Sequence, residues 1–286
     1  PGWTSYPHRL QYQTYDVTDL LREGENELSA LVGKGWYSGT LGYYHRKNCY
    51  GEKNALCLDM YIDYTDGSTE RISTDTNWRA RESALRFSEF QDGEVYDSTF
   101  SAAEDFPVEI VEYPKGKIIA QVSEPVRVTE ELSVVKHIVT PRGEQVLDFG
   151  QNASGIVQFT LKGRRGQRLV LSHAEVLDEA GNFYTANLRG AKAQDEYILN
   201  GEVQTLRPHF TTHGFRYVRI EGGEGASFGE FRLLVLHTDM QKTGTFECDD
   251  ARVNRLQQNI VWGQRGNFLD IPTDCPQRDE RLGWTG

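Results

Sequence analysis

One change of period limits what this chain can fold into. As far as Leu236 the apolar residues come in short runs separated by turn chemistry, and only after Thr238 do they recur at helical spacing. Leu56-Cys-Leu-Asp-Met-Tyr-Ile-Asp-Tyr64 alternates before Asp66-Gly67, a hairpin signal, and Arg71-Ile-Ser-Thr returns. Leu28-Ser-Ala-Leu-Val32 is a further apolar run ahead of a glycine-punctuated loop. Past Tyr113-Pro-Lys-Gly-Lys117 a new set of strands begins: 145–149, 155–161, 168–173, 196–199, 214–220 and 231–236. Gly163-Arg-Arg-Gly166, Asp178-Glu-Ala-Gly181 and Asn200-Gly201 supply the turns between them. Asp249-Asp250 then caps a helix whose stripe is Val253, Leu256, Ile260 and Val261, ending at Gly263 and Gly266.

A chain of 286 residues exceeds one typical domain. The pattern predicts a mainly β protein of two consecutive antiparallel β-sandwiches followed by one helix. The first sandwich, jelly-roll or galactose-binding-like, covers residues 1–114; the second covers 120–239; an α-helical segment covers 240–286. A single helix cannot bury its stripe alone, so Val253, Leu256 and Ile260 are expected to pack on the second sandwich or on another chain.

Charge and composition narrow the partners. With 42 acids against 31 bases the chain offers no nucleic-acid surface, and no apolar run approaches the roughly 18 residues of a membrane span. A neutral or weakly charged ligand fits better. Four cysteines, Cys49, Cys57, Cys248 and Cys275, form no CxxC pair and no disulfide framework, which favours a reducing, cytoplasmic setting; Cys49 and Cys57 could bridge a short loop. Residue one is a proline and the text starts as if inside a domain, so both ends read as cut and secretion stays open.

Chemistry concentrates in the last stretch. Asp274, Arg278, Asp279 and Glu280 lie within seven residues, with Pro276 fixing the backbone and Gly283-Trp284 adding an aromatic face. Crowded acids disfavour ionisation of one member, which keeps a carboxylic acid protonated near neutral pH. A sugar needs such a proton donor, hydrogen-bonding acids, an arginine for hydroxyls and an indole for an apolar ring face. The competing reading is a solvated acidic turn with a tryptophan core anchor. Two other clusters carry less. Trp36, Tyr37, Tyr43, Tyr44 and His45 among glycines read as the closed end of a sandwich core rather than a ligand face. His173, Glu175, His209 and His213 match no metal-binding spacing, and neither a metal nor another cofactor is assigned.

The string Asp274-Cys-Pro-Gln-Arg-Asp-Glu-Arg-Leu-Gly-Trp-Thr-Gly286 resembles the signature of bacterial α-L-rhamnosidases of glycoside hydrolase family seventy-eight. Tyr12 to Leu21 with Gly35-Trp-Tyr-Ser-Gly39 is similar to that family's amino-terminal domain, its first strands missing. Leu147-Asp-Phe-Gly-Gln-Asn152, His173-Ala-Glu-Val176 and His213-Gly-Phe-Arg-Tyr217 are similar to its concanavalin-like domain. The resemblance implies that the helix opens an (α/α)₆ barrel and that the substrate is a rhamnose-containing carbohydrate. It implies inverting hydrolysis of terminal α-L-rhamnose, with Glu280 as general acid and Asp274, Arg278, Asp279 and Trp284 as substrate-binding residues. In the family the general base lies far beyond the signature, so the chain reads as an inactive fragment, with a homo-oligomer left open. The alternative is a non-catalytic carbohydrate-binding or structural pair of β-sandwiches.

Overall fold

The computed structural model describes residues 2–42, 44–113 and 117–278. The protein is mainly β, and the one long helix among its described residues, Ala251–Gly266, lies toward their C-terminal end. Among the described residues the other helical pieces are single turns, Gly35–Ser38, Thr18–Leu20 and Ala186–Leu188.

A curled ten-stranded sheet dominates. Its centre is Gln145–Lys162, an 18-residue strand in which two of the expected strands merge. Drawn straight it would reach about 60 Å, too long for one flat ladder. The register shifts twice instead, at Asp148/Ala153, where the long strand carries the extra residues and bends, and at Phe159/Leu161, where its partner Ser227–Thr238 does. Its first half pairs with Lys136–Val139 and His213–Glu221, its second with Ser227–Thr238 and Val203–Leu206. One strand thus serves two sets of neighbours, and the sheet curls around the core between them.

That core is built from alternate residues of these strands. Phe159, Leu171, Phe215, Val218 and Leu233 are essentially inaccessible, and Phe159 meets Tyr197 edge to face at 5.2 Å and Phe231 in a stack at 5.2 Å. Each such side chain contributes about 1.5–3 kcal/mol by burial.

The first bend has a specific lock. Asp148 is buried, accepts the Gly150 N–H at 2.7 Å, and takes both arms of Arg216 at 2.7 and 2.8 Å. Gly150 stands at φ 76°, a left-handed conformation that suits glycine. Burial alone would raise the Asp148 pKa, but the Arg216 guanidinium and the Gly150 N–H hold it below the usual carboxylate range.

The amino-terminal part contributes shorter ladders. Asp59–Asp63 and Thr69–Ser73 form the hairpin expected around Asp66-Gly67, with Gly67 at φ 83°. Leu28–Val32 forms no strand and stays partly exposed, because an apolar run becomes a strand only when a partner ladder accepts its backbone. Trp36 is buried against Phe90, and Tyr37 packs on Tyr6 and Tyr50, whereas Tyr44 is exposed; Tyr43 lies outside the described residues. Cys49 and Cys57 are exposed and unbridged.

Two pairings depart from the antiparallel pattern. Leu10–Tyr12 runs parallel to Ile118–Ala120, and the hairpin Leu85–Glu89/Gly93–Asp97 joins the large sheet through a parallel pairing of Gly93–Asp97 with Gln194–Ile198. Gly93 permits the latter. At φ 105°, a Cβ there would lie 1.8 Å from the Gln194 carbonyl oxygen. The sheet therefore takes strands from both sides of the linker near 114–120, of which residues 114–116 lie outside the described set.

The helix begins where the sequence places it, with Asp250 accepting the Arg252 N–H at 2.9 Å. Of the two surfaces expected to cover its stripe, the second sandwich does not do so. Trp262 reaches the sheet core and Arg265 pairs with Glu130 at 3.5 Å, whereas Val253, Leu256 and Ile260 face solvent. At about 100° per residue the Val253 stripe lies on the side of the helix opposite Trp262, so docking through the indole leaves the stripe uncovered.

Asp148 gives this architecture a pH signature. A carboxylate with a depressed folded pKa contributes stability above its unfolded pKa and loses it as pH falls through the folded value. Asp148→Asn should cost about 1–2 kcal/mol at pH 7, the pair being discounted because Arg216 is partly exposed. Urea unfolding should show that loss shrinking below about pH 4; an equal loss at pH 7 and pH 3 would contradict the ion-pair account.

Candidate active site

The acid-rich stretch is positioned by the end of the helix and by two distant segments. Asn267 closes the helix: its side-chain amide donates to the Gly263 carbonyl at 2.8 Å, and its own carbonyl accepts the Thr273 N–H at 2.8 Å. Between those residues Phe268–Leu269 and Ile271–Pro272 form a two-residue ladder around Asp270, which stands at φ 71°.

Asp270 anchors that turn through three hydrogen bonds. Its N–H donates to the Thr238 hydroxyl at 2.7 Å, and that hydroxyl donates on to the Phe268 carbonyl at 3.2 Å. Its carboxylate accepts the Gly2 N–H at 2.9 Å and the Ser123 hydroxyl. Gly2 is required there, since a Cβ would stand 2.4 Å from Asp270 Oδ2. Beside Asp270 opens a cleft of about 420 Å³ lined by Trp3, Arg9, Gln11, Val122 and Ser123 among others. The amino terminus, the linker after residue 117, the last strand and the acid-rich loop thus meet at one carboxylate.

The loop then turns sharply. Asp274 and Cys275 both adopt left-handed backbone, at φ 37° and 59°. Two such non-glycine residues in succession cost about 1–3 kcal/mol each, and strain of this kind concentrates at functional sites. Pro276 holds the turn against the sheet. A Cβ on Gly214 would stand 3.0 Å from Pro276 and from the Gln277 nitrogen, so a larger residue on the strand His213–Glu221 would make the loop give way by a few tenths of an ångström.

Around Cys275 the loop brings Asp274 and Arg278 together. Burial raises the thiol pKa; the Arg278 side chain, hydrogen-bonded to it, pulls the other way, and the Asp274 carboxylate raises it again. The net shift is upward, so Cys275 is a protonated thiol at neutral pH and no nucleophile. Of the sequence-derived site residues the structure therefore gathers Asp274 and Arg278. Asp279, Glu280 and Trp284 lie outside the described residues.

Sequence reasoning missed the supports. Gly2, Ser123, Thr238 and Gly214 hold the loop from positions up to 268 residues away, and nothing local marks them. The run Asp270-Ile-Pro-Thr-Asp274 was legible as part of the acid-rich stretch, but not as the knot beneath it.

Three family models match in succession: the α-L-rhamnosidase N-terminal domain over residues 1–130, the bacterial α-L-rhamnosidase concanavalin-like domain over 138–237, and the bacterial α-L-rhamnosidase 6 hairpin glycosidase domain over 241–286. The chain belongs to the bacterial α-L-rhamnosidase family. An α-L-rhamnosidase of Streptomyces avermitilis is 44% identical over 299 residues, an alignment that covers 100% of this chain and 29% of that protein. One from Formosa agariphila is 36% identical, again over 100% of this chain and 32% of the relative. Among solved structures, the S. avermitilis α-L-rhamnosidase complexed with L-rhamnose superposes with a TM-score of 0.93 at 43% identity, covering 100% of this chain and 29% of that one. The native Aspergillus terreus rhamnosidase superposes with a TM-score of 0.91 at 39% identity, over 100% and 35%. The chain spans about a third of the length of these relatives. In this rhamnosidase-family chain the acid-rich loop falls inside the glycosidase-domain match, directly after the helix that opens it.

The Asp270 knot is testable. Asp270→Ala leaves the Gly2 N–H and the Ser123 hydroxyl without their acceptor, a loss of about 1–3 kcal/mol. Hydrogen exchange should accelerate across 267–278 while the strand Gln145–Lys162 keeps its protection. Unchanged exchange in the loop would show that Thr238 and Pro276 suffice to hold it.

Proposed function

We propose that these residues belong to an inverting α-L-rhamnosidase and supply the acid half of its active site. One observation carries this reading: residues 241–286, which hold every member of the acid-rich motif, match the glycosidase domain of the family. The strained Asp274-Cys275 turn supports it, because the chain spends backbone energy to aim this loop.

In this reading Glu280 donates its proton to the glycosidic oxygen as the bond to C1 breaks. A carboxyl group can keep that proton near neutral pH only if its charged form is disfavoured, which neighbouring Asp279 and Asp274 would do. Arg278 offers a fork of donors for vicinal hydroxyls, Asp274 and Asp279 accept from them, and Trp284 faces the apolar side of the ring. Inversion needs a second carboxylate, about 6.5–9.5 Å from the first, to activate water on the opposite face of the sugar. On the family resemblance the base is expected far beyond the signature, and on that reading we infer that the 286 residues alone do not turn over.

Two measurements test this. In a complete polypeptide that carries these residues, Glu280→Gln should lower kcat on the order of 10²-fold or more for a rhamnoside with a poor leaving group, and far less for one leaving as an acidic phenol. Equal losses on both substrates would remove Glu280 from the acid role, and α-L-rhamnose as the first-formed product would exclude inversion. The 286-residue chain by itself should release no nitrophenol from nitrophenyl α-L-rhamnoside above the blank; turnover abolished by Glu280→Gln would show that it contains its own base.

A further inference from the structure

The core of the curled sheet holds a polar cluster that rhamnoside hydrolysis does not use. His173, Asp195 and His213 come from three different strands, Arg168–Ala174, Gln194–Ile198 and His213–Glu221, and are 1%, 0% and 0% exposed. The two imidazoles stack with centroids 4.2 Å apart. Burying two histidines and an aspartate inside an apolar core is costly unless their polar atoms are answered.

Assigning protons shows what is missing. His173 Nδ1 lies 2.9 Å from the Ala193 carbonyl, which can only accept, so Nδ1 carries the hydrogen. A ring enclosed this fully in an apolar core is held neutral, because an imidazolium there would lose its hydration. His173 Nε2 therefore presents a lone pair. Across from it, at 3.8 Å, is Asp195 Oδ2. The other carboxylate oxygen is already engaged, accepting the Glu94 N–H at 3.2 Å and standing 3.2 Å from His213 Nε2. Neither His173 Nε2 nor Asp195 Oδ2 has a hydrogen-bond partner, and the buried Tyr197 hydroxyl, two residues along the same strand face, has none either. Two acceptors thus face each other in a dry core, a repulsive arrangement unless something positive stands between them.

We propose that His173, Asp195 and His213 bind one divalent transition-metal ion of the zinc class, a structural site that ties three strands of the sheet together. The donor set, two imidazoles and a carboxylate, suits zinc and its neighbours better than magnesium or calcium, which prefer oxygen. Distances agree with one shared ion. Donors about 2.0–2.2 Å from a tetrahedral ion stand roughly 3.4 Å apart, so the 3.8 Å pair has to close by only a few tenths of an ångström. One ligand atom from each residue lies within 4.8 Å of the others, so no pair has to close by more than about 1.4 Å to share one ion. The outer contacts are those a metal site uses: Ala193 fixes the His173 tautomer, and the Glu94 N–H orients the carboxylate. Sequence spacing concealed the site because its ligands sit 22 and 18 residues apart on paired strands, unlike the short-range motifs of zinc loops.

With no exposed route to these side chains, the ion must enter as the chain folds. The untagged 286-residue chain, produced in zinc-supplemented medium and dialysed without chelator, should carry close to one zinc per chain by plasma mass spectrometry. Unfolding in guanidinium with a chelator and refolding with Co²⁺ should give the visible d–d bands of a low-coordinate site, and refolding with Zn²⁺ should raise Tm above that of the metal-free protein. Zinc-edge X-ray absorption should show only nitrogen and oxygen neighbours with imidazole scattering, which excludes the four cysteines. His173→Gln should lose the metal, whereas His209→Gln, outside the cluster, should keep it. Less than a tenth of an ion per chain together with an unchanged Tm after refolding with Zn²⁺ would overturn the proposal and leave a proton or a water between the two acceptors. A sulfur shell, or full metal content in a folded His173→Gln protein, would overturn it equally. Should His173→Gln fail to fold, the metal content and absorption spectrum of the unmodified chain decide.

Discussion

The structure depends on one strand being bent without being broken. Gln145–Lys162 gives hydrogen bonds to four other strands, and it can do so only because the register shifts twice along it. An extra residue in a ladder ordinarily leaves backbone groups unpaired and the strand free to slip. Here the Asp148 carboxylate absorbs the first irregularity, taking the Gly150 N–H and fixing Arg216 from the neighbouring strand. An electrostatic clamp therefore sets a geometric feature, the curl, and the curl in turn creates the core and the strand against which the C-terminal loop lies.

The same strand system explains how a loop so rich in charge is held. Loops carry function when a rigid scaffold positions them, and this one is positioned from three sides. Trp262 seats the helix on the sheet core, Gly214 lets Pro276 approach the backbone of the strand His213–Glu221, and Asp270 gathers the amino terminus and Ser123. None of these residues belongs to the proposed sugar-binding set. They absorb the strain of the left-handed Asp274-Cys275 turn, which an isolated peptide of this sequence would relax.

Burial divides the titratable groups of the molecule into two populations. Most ion pairs, such as Arg232 with Glu131 and Glu230, lie on the exposed faces of strands and contribute little individually. Among the described residues Glu94, Asp195, His173 and His213 are enclosed together where the hairpin of Leu85–Glu89 and Gly93–Asp97 meets the large sheet. Glu94 ties the two together, its carboxylate accepting the N–H groups of His209 and Phe210 and its own N–H reaching Asp195. That junction is polar because it is where segments distant in sequence meet.

The sequence by itself determined the elements and the chemistry: strand period as far as Leu236, turn residues at Gly67, Gly166, Gly181 and Gly201, the Asp250 cap, and the acid-rich motif of a rhamnosidase. Each is written in neighbouring residues, because backbone dihedrals, side-chain alternation and a contiguous motif are local properties. Tertiary structure alone decided which strands merge, that a hairpin from the first hundred residues joins the second sheet in parallel, that Trp262 rather than the Val253 stripe docks the helix, and that Gly2, Ser123 and Asp270 meet. Those outcomes turn on which of many distant backbone and side-chain partners close a loop most favourably. No local pattern records that competition, and so the supports of the loop were hidden while its family motif was legible.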